Sequence, residues 1–136
     1  LGSTERILVT GAAGIIGRAL VAGLRELHGA DAVVAGHRSS NLPRDILESG
    51  PHCRIDVSHV DALQQALAEH RIQVIYHLAA VLSSAAEEDV TIGWDANVVG
   101  FYNVLEASRR LGIGKVFFAS SIAVFGATTP KDPTPQ

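Results

Sequence analysis

The chain has 136 residues, of which 47% are hydrophobic and 18% charged, and its formal net charge at pH 7 is -3. This is the length and composition of a single globular domain with a core of its own, which excludes a disordered or fibrous chain. The scattered Lys and Arg residues and the lack of a long apolar run give no support to nucleic acid or a membrane as a partner.

Strand-length apolar runs alternate with segments of helical period along the chain. The first run, Ile7–Thr10, has no polar alternation, which predicts a strand buried on both faces. Further strands are predicted over residues 31–36, 53–57, 74–80 and 115–121, and the Pro- and Thr-rich residues 126–136 predict a loop. Cys53 is the single cysteine and cannot form an internal disulfide, which favours a reducing, cytoplasmic location.

Four segments between these strands predict helices. The first ends near Gly29, and its apolar residues recur at helical spacing: Ile16, Leu20, Leu24 and Leu27. Residues 42–49 predict a weak second helix. The third follows Ser58, a plausible N-cap, and is marked by Val60, Leu63 and Leu67. The fourth spans 89–111 and is closed by Gly112, and its predicted apolar face consists of Val90, Trp94, Val98, Phe101, Leu105 and Ser108.

Such regular alternation predicts right-handed βαβ crossovers and an α/β fold of the Rossmann type. We expect a doubly wound parallel sheet with strand order 3-2-1-4-5. Ligands of such sheets bind at the carboxyl ends of the strands, beside the switch point next to strand 1. Three glycines, Gly11, Gly14 and Gly17, follow strand 1 at this point.

The glycines come after a strand and open a helix, which is the context of a dinucleotide-binding fingerprint. Gly11 would allow the tight turn, and Gly14 would let a pyrophosphate approach the amides of the helix N-terminus. Gly17 would let the helix pack closely on the sheet. The alternative is a strand-to-helix turn that has only a structural role.

The spacing G-x-x-G-x-x-G resembles that of the extended short-chain dehydrogenases/reductases, the NAD-dependent epimerase/dehydratase family. The resemblance implies that Asp56 holds the adenine amino group, that residues 77–80 lie along the cofactor ribose, and that Asn97 kinks its helix or braces the site. His77 is interpreted as a buried structural histidine. A solvated Asp56 and an exposed Asn97 remain alternatives. The predicted cofactor-binding residues are Gly11, Ala13, Gly14, Ile15, Ile16, Gly17, His37, Arg38, Asp56, Val57, Leu78, Ala79, Ala80, Asn97 and Ser120.

Three segments, 82–84, 94–109 and 116–136, resemble the short-chain type of L-threonine 3-dehydrogenases more closely. These enzymes oxidise L-threonine to 2-amino-3-ketobutyrate with a nicotinamide cofactor. The resemblance implies that Ser121 is the catalytic hydroxyl and that Ser83 binds the small-molecule substrate; a strand-end cap at Ser121 and a structural Ser83 are the alternatives. A sugar-nucleotide 4-epimerase or dehydratase, and a non-catalytic NAD(P)-binding module, also remain open. No metal is expected.

The family's general base is the Tyr of a Y-x-x-x-K pair, whose pKa is lowered by the Lys. Tyr76 is followed four places on by Ala80, and Tyr102 by Glu106, so neither has the required Lys. We therefore expect residues 1–136 to be the NAD(P)-binding part of a larger oxidoreductase and to be inactive by themselves. The resemblance implies that the full-length protein is a homodimer.

The predicted second strand ends without an acidic residue. NAD-preferring relatives place an acid there to bind both ribose hydroxyls. Here that position is Gly36, followed by His37, Arg38 and Ser39. Because Arg38 could pair with a 2′-phosphate, the sequence predicts tolerance of, or preference for, NADP over NAD, unless Arg38 is simply a solvated charge.

Overall fold

Five parallel strands form one sheet in the computed structural model, which describes residues 5–38, 42–121, 125–126 and 128–129, apart from the side chains of Ser83 and Ser84. The strand order is β3-β2-β1-β4-β5, as predicted. The strands are β1 Ile7–Thr10, β2 Val33–His37, β3 His52–Arg54, β4 Val74–His77 and β5 Lys115–Phe118. The α/β Rossmann-type fold is therefore confirmed.

The helices cover both faces of this sheet. They are α1 Ile15–His28, α2 Arg44–Glu48, α3 Val60–Glu69, α4 Ser83–Glu88, α5 Val90–Trp94 and α6 Gly100–Leu111. A π-helical turn, Asp95–Val99, joins α5 to α6, and a short 3-10 turn, Ala30–Ala32, precedes β2. Among the helices of the described residues, none is long and apolar enough to cross a membrane.

The core has two halves, one on each side of the sheet. Ile7 and Val9 of β1 pack with Val21 and Leu24 of α1, whereas Leu8 packs with residues of α3 and α6. All four residues of β1 are buried, which confirms that this strand is covered on both faces. Alternate side chains of a strand point to opposite faces, so a strand with helices on both sides needs an uninterrupted apolar sequence.

Two of the four apolar residues that predicted α1 face the core: Leu24 is buried and Leu20 packs against the same cluster. Ile16 is 70% exposed and Leu27 is 79% exposed, whereas Gly17 and Val21 are buried. A Cβ on Gly17 would collide with the Gly11 carbonyl oxygen and approach Ala12 Cα to 2.9 Å. This close backbone contact sets which side of α1 faces the sheet.

The predicted apolar face of the fourth helix is correct at Ser108, which is buried, but wrong at its exposed members. Trp94 is 60% exposed and Val98 and Leu105 are exposed, while the buried face of α6 consists of Gly100, Asn103, Val104, Ala107 and Ser108. The segment begins where predicted, because the Asp89 carboxylate accepts hydrogen bonds from the amides of Thr91 and Ile92. Hydrophobicity alone did not indicate that a glycine and an amide side chain face the sheet.

The N-cap predicted at Ser58 is wrong as well. Helix α3 has His59 at its N-cap position, and the Ser58 hydroxyl instead donates to Asp56 Oδ1 at 2.7 Å. The Ser58 hydroxyl therefore orders the loop of Asp56 and does not cap α3.

Strand β4 is shorter than the predicted 74–80 because a side chain takes the amides that follow it. Leu78 N–H and Ala79 N–H both donate to Thr10 Oγ1 at 3.1 Å, so β4 ends at His77. Five residues near the ends of the strands lie in one row across the sheet: Cys53, Gly36, Thr10, His77 and Phe118.

Candidate dinucleotide-binding site

A cleft of about 270 Å³ opens at the carboxyl end of β1, beside the ends of β2, β3 and β4. This is the edge at which doubly wound sheets bind ligands. Its lining residues are Thr10, Gly11, Ala13, Gly14, Gly36, His37, Arg38, Ile55, Asp56, Val57, Leu78, Ala79, Ala80, Val81 and Ala96. Ten of the fifteen predicted cofactor-binding residues therefore lie on its wall.

The glycine loop shows two different reasons for glycine. Gly11 has φ +69°, and a Cβ there would lie 2.7 Å from the Leu78 carbonyl group, so the fold itself demands glycine. At Gly14 the nearest atom to an added Cβ is the Gly11 oxygen at 3.4 Å, an ordinary contact. Within the part of the chain that the structure describes, no atom therefore excludes a side chain at Gly14, which lies exposed on the cleft wall.

Gly14 is also the N-cap of α1. The first amides of a helix have no partner within the helix, and a glycine at the N-cap offers no side-chain acceptor to them. The first turn has no acidic residue. The predicted residues Ile15 and Ile16 do not line the cleft, and they are 93% and 70% exposed.

Thr10, which sequence reasoning missed, joins the two strands that border the glycine loop. Its Oγ1 accepts the Leu78 and Ala79 amides and lies 2.8 Å from His77 Nδ1. With both lone pairs used, the hydroxyl proton is donated to His77. The position directly before Gly11, at the end of a buried strand, was the signal that could have indicated Thr10.

His77 is buried in apolar surroundings, as predicted for a structural histidine. It is 2% exposed, and its ring stacks on Phe101 and Phe118 at centroid distances of 5.6 and 6.0 Å. Burial lowers the pKa of His77 to about 4, so the ring is neutral at pH 7.

Asp56 lies on the opposite wall of the cleft, after β3. Its Oδ1 accepts hydrogen bonds from Ser58 N–H at 3.0 Å and from the Ser58 hydroxyl. Partial burial by itself raises the pKa of Asp56, but the Ser58 bonds and the charges of His59 and Arg38 together lower it below its usual value. The site thus holds a carboxylate that accepts hydrogen bonds at neutral pH.

The end of β2 contributes basic groups to the cleft. Arg38 is exposed at the cleft mouth, and Arg54 Nε donates to its carbonyl oxygen at 3.1 Å. The rings of His37 and His52 lie side by side, with centroids 5.7 Å apart. Two arginines and two histidines therefore lie at this corner.

The expectation that Gly36 marks the position of the ribose-binding acid needs correction. Gly36 lies inside β2, and a Cβ there would stand 3.0 Å from Ile55 Cδ1 and 3.1 Å from Leu8 Cδ1. A carboxylate at this position would enter the packed core. The first residues beyond Gly36 that line the cleft are His37 and Arg38.

Asn97 lies in the π-helical turn and braces the loop after β4. Its side-chain oxygen accepts from Val81 N–H at 2.7 Å, and its Nδ2 donates to the Val81 carbonyl at 2.9 Å. Asn97 itself is not among the lining residues, although Val81 and Ala96 are. These two, with Thr10, Gly36 and Ile55, line the cleft but were not among the predicted cofactor-binding residues.

The remaining predicted residues lie away from the cleft wall. Gly17 is buried behind the glycine loop, and Ser120 and Ser121 follow β5 in exposed positions. Ser83 begins α4, and its side chain lies outside the described residues. Ser121 is not among the residues that line the cleft, and the roles of Ser83 and Ser121 stay predictions.

Comparison with known proteins gives consistent matches. Residues 7–136 match the NAD-dependent epimerase/dehydratase family. An uncharacterized epimerase/dehydratase of Staphylococcus epidermidis is 38% identical over 132 residues, which are 97% of this chain and 41% of that protein. The chain thus spans about two fifths of the curated relatives it matches.

Solved structures resemble the fold over nearly all of the chain. An L-threonine dehydrogenase from Clostridium difficile has a TM-score of 0.89 at 36% identity, covering 98% of this chain and 41% of that one. The holo form of a GalE-like L-threonine dehydrogenase from Cupriavidus necator has a TM-score of 0.88 at 34% identity, covering 97% and 42%. A UDP-glucose 4-epimerase from Thermus thermophilus in complex with NAD has 0.75 at 32% identity, covering 86% and 38%.

Proposed function

The chain belongs to the NAD-dependent epimerase/dehydratase family, and from this premise we propose that its cleft binds the ADP-ribose part of a nicotinamide dinucleotide. The observation that carries the proposal is the glycine loop at the N-terminus of α1, facing Asp56 across the cleft. The lack of a side chain at Gly14 leaves open space in the cleft. This space lies beside the first amides of α1, which favour an anion. The residues present therefore fit a pyrophosphate.

The other walls fit the remaining parts of the ligand. The Asp56 carboxylate can accept a hydrogen bond from the adenine amino group. Residues 78–80 line the cleft wall, and Thr10 accepts the first two of their amides. In this proposal the cofactor ribose lies along these residues. When bound, the nicotinamide exchanges a hydride with a substrate carbon.

We further propose that the site accepts NADP, in contrast to the acid-bearing, NAD-preferring relatives. Arg38 lines the cleft where β2 ends, and Arg54 holds its backbone. A guanidinium binds a phosphate through charge-assisted hydrogen bonds, whereas an acid at this corner would repel one. Ser39, which could also donate to a phosphate, lies outside the described residues.

For the full-length protein we propose L-threonine 3-dehydrogenase activity, with 2-amino-3-ketobutyrate as the product. The high structural similarity to L-threonine dehydrogenases over 96–98% of this chain supports it. In this proposal the Ser121 hydroxyl donates a hydrogen bond to the substrate oxygen, and Ser83 holds the amino-acid end. The general base lies outside residues 1–136, so these residues by themselves are inactive.

The second candidate is a sugar-nucleotide 4-epimerase or dehydratase. It is supported by the structural match to a UDP-glucose 4-epimerase, although with a lower TM-score of 0.75. A non-catalytic NAD(P)-binding module is the alternative of another class.

We also propose that the full-length protein forms a homodimer through the helical segment 90–111. Trp94, Val98, Tyr102 and Leu105 share one face by their spacing and are exposed. A face of this kind is typical of a protein interface. Light scattering on the full encoded protein tests the proposal, and a monomeric mass at all concentrations would contradict it.

The decisive assay uses the full encoded protein with L-threonine or UDP-glucose and with NAD or NADP. Threonine-dependent reduction of the cofactor supports the dehydrogenase. Interconversion of UDP-glucose and UDP-galactose without threonine turnover favours the epimerase. Tight dinucleotide binding without either reaction favours the module, and the absence of dinucleotide binding overturns the proposed function.

A further inference from the structure

Asn103 connects α6 to the loop that carries Asp56. Its side chain is 7% exposed, and Nδ2 donates both to the Val57 carbonyl at 2.9 Å and to the Ser58 carbonyl at 3.1 Å. A buried amide is costly unless it is hydrogen-bonded, and here both N–H groups are used on two consecutive carbonyls of one loop.

A second contact on the same face of α6 fixes the same loop. Gly100 lies three residues before Asn103, and a Cβ there would stand 2.6 Å from Val57 Cγ2. Residues three apart lie on the same side of a helix. Gly100 and Asn103 therefore both contact Val57 from α6. One contact is steric and the other is polar.

The loop that α6 holds, residues 57–58, in turn fixes the Asp56 carboxylate. Ser58, whose carbonyl Asn103 holds, donates from its amide and its hydroxyl to Asp56 Oδ1. The Asp56 backbone carbonyl accepts from His59 N–H at 3.0 Å, which closes the turn. The orientation of Asp56 in the cleft therefore depends on where Val57 and Ser58 are held.

We propose that Asn103 is a positioning residue for the adenine end of the cleft, which directs the Asp56 carboxylate at the exocyclic amino group of the bound dinucleotide. The inference rests on the proposed function, because it requires that the cleft bind such a cofactor. Asn97, six residues earlier on the same helical segment, holds Val81 on the opposite rim. One helical segment thus supports both walls with one asparagine each.

The test compares a dinucleotide with its deamino form, in which hypoxanthine replaces adenine. The exocyclic amino group becomes a carbonyl oxygen, which cannot donate to Asp56. Calorimetry on the full encoded protein measures Kd for NAD and deamino-NAD, or for NADP and deamino-NADP if the wild type binds these more tightly. We expect the wild type to prefer the adenine form about tenfold, as for a hydrogen bond to a charged group.

The variants separate positioning from folding. Asn103→Ala should reduce the preference to about twofold or less while changing the Kd for the deamino form little, because the lost contact is at the amino group. Asn103→Ser, which retains a shorter donor, should give an intermediate preference and serves if the alanine variant does not fold. Asp56→Asn should abolish the preference directly.

Ser108→Ala is the matched control. Ser108 is buried on the same helix, and its hydroxyl donates to the Val104 carbonyl within that helix at 2.7 Å. This variant should keep the wild-type preference for the adenine form over the deamino form, whatever its effect on Tm.

Each alternative outcome is distinct. If the wild type binds no dinucleotide, the proposed function fails and this inference fails with it. If the wild type binds but does not discriminate, Asp56 does not face the adenine, and the role of Asn103 is overturned while cofactor binding stands. If the wild type discriminates and the Asn103 variants keep the same preference, Asn103 is only structural and the inference is overturned.

Discussion

Thr10 Oγ1 and His77 Nδ1 lie 2.8 Å apart at the ends of two neighbouring strands, and the same hydroxyl accepts the amides of Leu78 and Ala79. One side chain thereby fixes the end of β1, the end of β4 and the loop that lines the cleft. Because the Thr10 hydroxyl donates a hydrogen bond to Nδ1, the neutral His77 ring carries its proton on Nε2.

Replacing Thr10 tests this arrangement. Thr10→Val keeps the shape but leaves two amides and a ring nitrogen without their partner, so we expect a loss of about 2–4 kcal/mol in the free energy of unfolding. Thr10→Ser keeps the hydroxyl and should lose about 1 kcal/mol or less. Urea denaturation measures both, and equal losses in the two variants would contradict the hydrogen-bonding role.

The lowered pKa of His77 predicts a pH dependence of stability. The unfolded histidine binds a proton near pH 6.5 and the folded one only near pH 4. The stabilisation is therefore complete above about pH 6.5 and is lost as the pH falls toward 4, by up to about 3 kcal/mol. His77→Gln, which cannot titrate, should show a shallower decline over this range. Denaturation curves at several pH values compare the two, and parallel declines would refute the assignment.

Two arginines of α1 provide a matched comparison of burial. Arg25 is 6% exposed and donates to the carbonyls of Val33, Ile46 and Pro51 and to Ser49 Oγ. Arg25→Met leaves these acceptors unpaired and should cost about 3–5 kcal/mol.

Arg18 is the control on the same helix. It pairs with Asp45 at 2.9 Å, and both side chains are about half exposed. Arg18→Met should cost less than about 1 kcal/mol, as is usual for surface ion pairs. Thermal or urea denaturation measures the difference between the two variants, and similar losses would show that the carbonyl contacts of Arg25 are unimportant.

The two kinds of glycine in the loop should separate binding from stability. Gly14→Ala has room within the fold and should lose about 1 kcal/mol or less in stability. It should nevertheless weaken dinucleotide binding by about tenfold or more, because a methyl group keeps the pyrophosphate from the amides. Gly17→Ala should instead destabilise the protein by about 1–3 kcal/mol through the collision with Gly11. Unchanged affinity in Gly14→Ala would argue against a pyrophosphate at this loop.

Arg38 carries the prediction about cofactor choice. Arg38→Ala should weaken NADP binding by about tenfold, the value of one lost charge-assisted pair, and leave NAD binding nearly unchanged. Arg44→Ala is a suitable control. Arg44 is exposed, and its only ion pair among the described residues is with Glu48 of its own helix, at 3.1 Å. A wild type that clearly prefers NAD would contradict the prediction before any variant is made.

The fold was predictable because strand-length apolar runs alternate with helical periods, a pattern that favours a doubly wound parallel sheet. Gly11 and Gly17 could be assigned from their spacing, and the structure shows a steric reason for each. The helix faces were not predictable in the same way. Gly17 and Gly100 face inward for the close approach they allow, and a hydrophobicity pattern gives glycine no such weight.

Side-chain hydrogen bonds explain two other errors. The strand after residue 74 ends early because the Thr10 hydroxyl takes the amides of Leu78 and Ala79, and Ser58 serves Asp56 rather than α3. A local sequence pattern cannot show that Thr10 lies beside Leu78 and Ala79. It also cannot show which acceptor the Ser58 hydroxyl prefers. For the same reason Asn103, which looks like an ordinary polar helix residue, gave no signal in the sequence.

The row of Cys53, Gly36, Thr10, His77 and Phe118 across the sheet bears on how such a protein can evolve. Inserting or deleting one residue within a strand would move its end by about 3.3 Å relative to its neighbours and turn its side chains to the opposite face. Lineages can therefore exchange residues in the loops beyond the row, and with them the preferred ligand, but they cannot change the number of residues in the strands without losing the site.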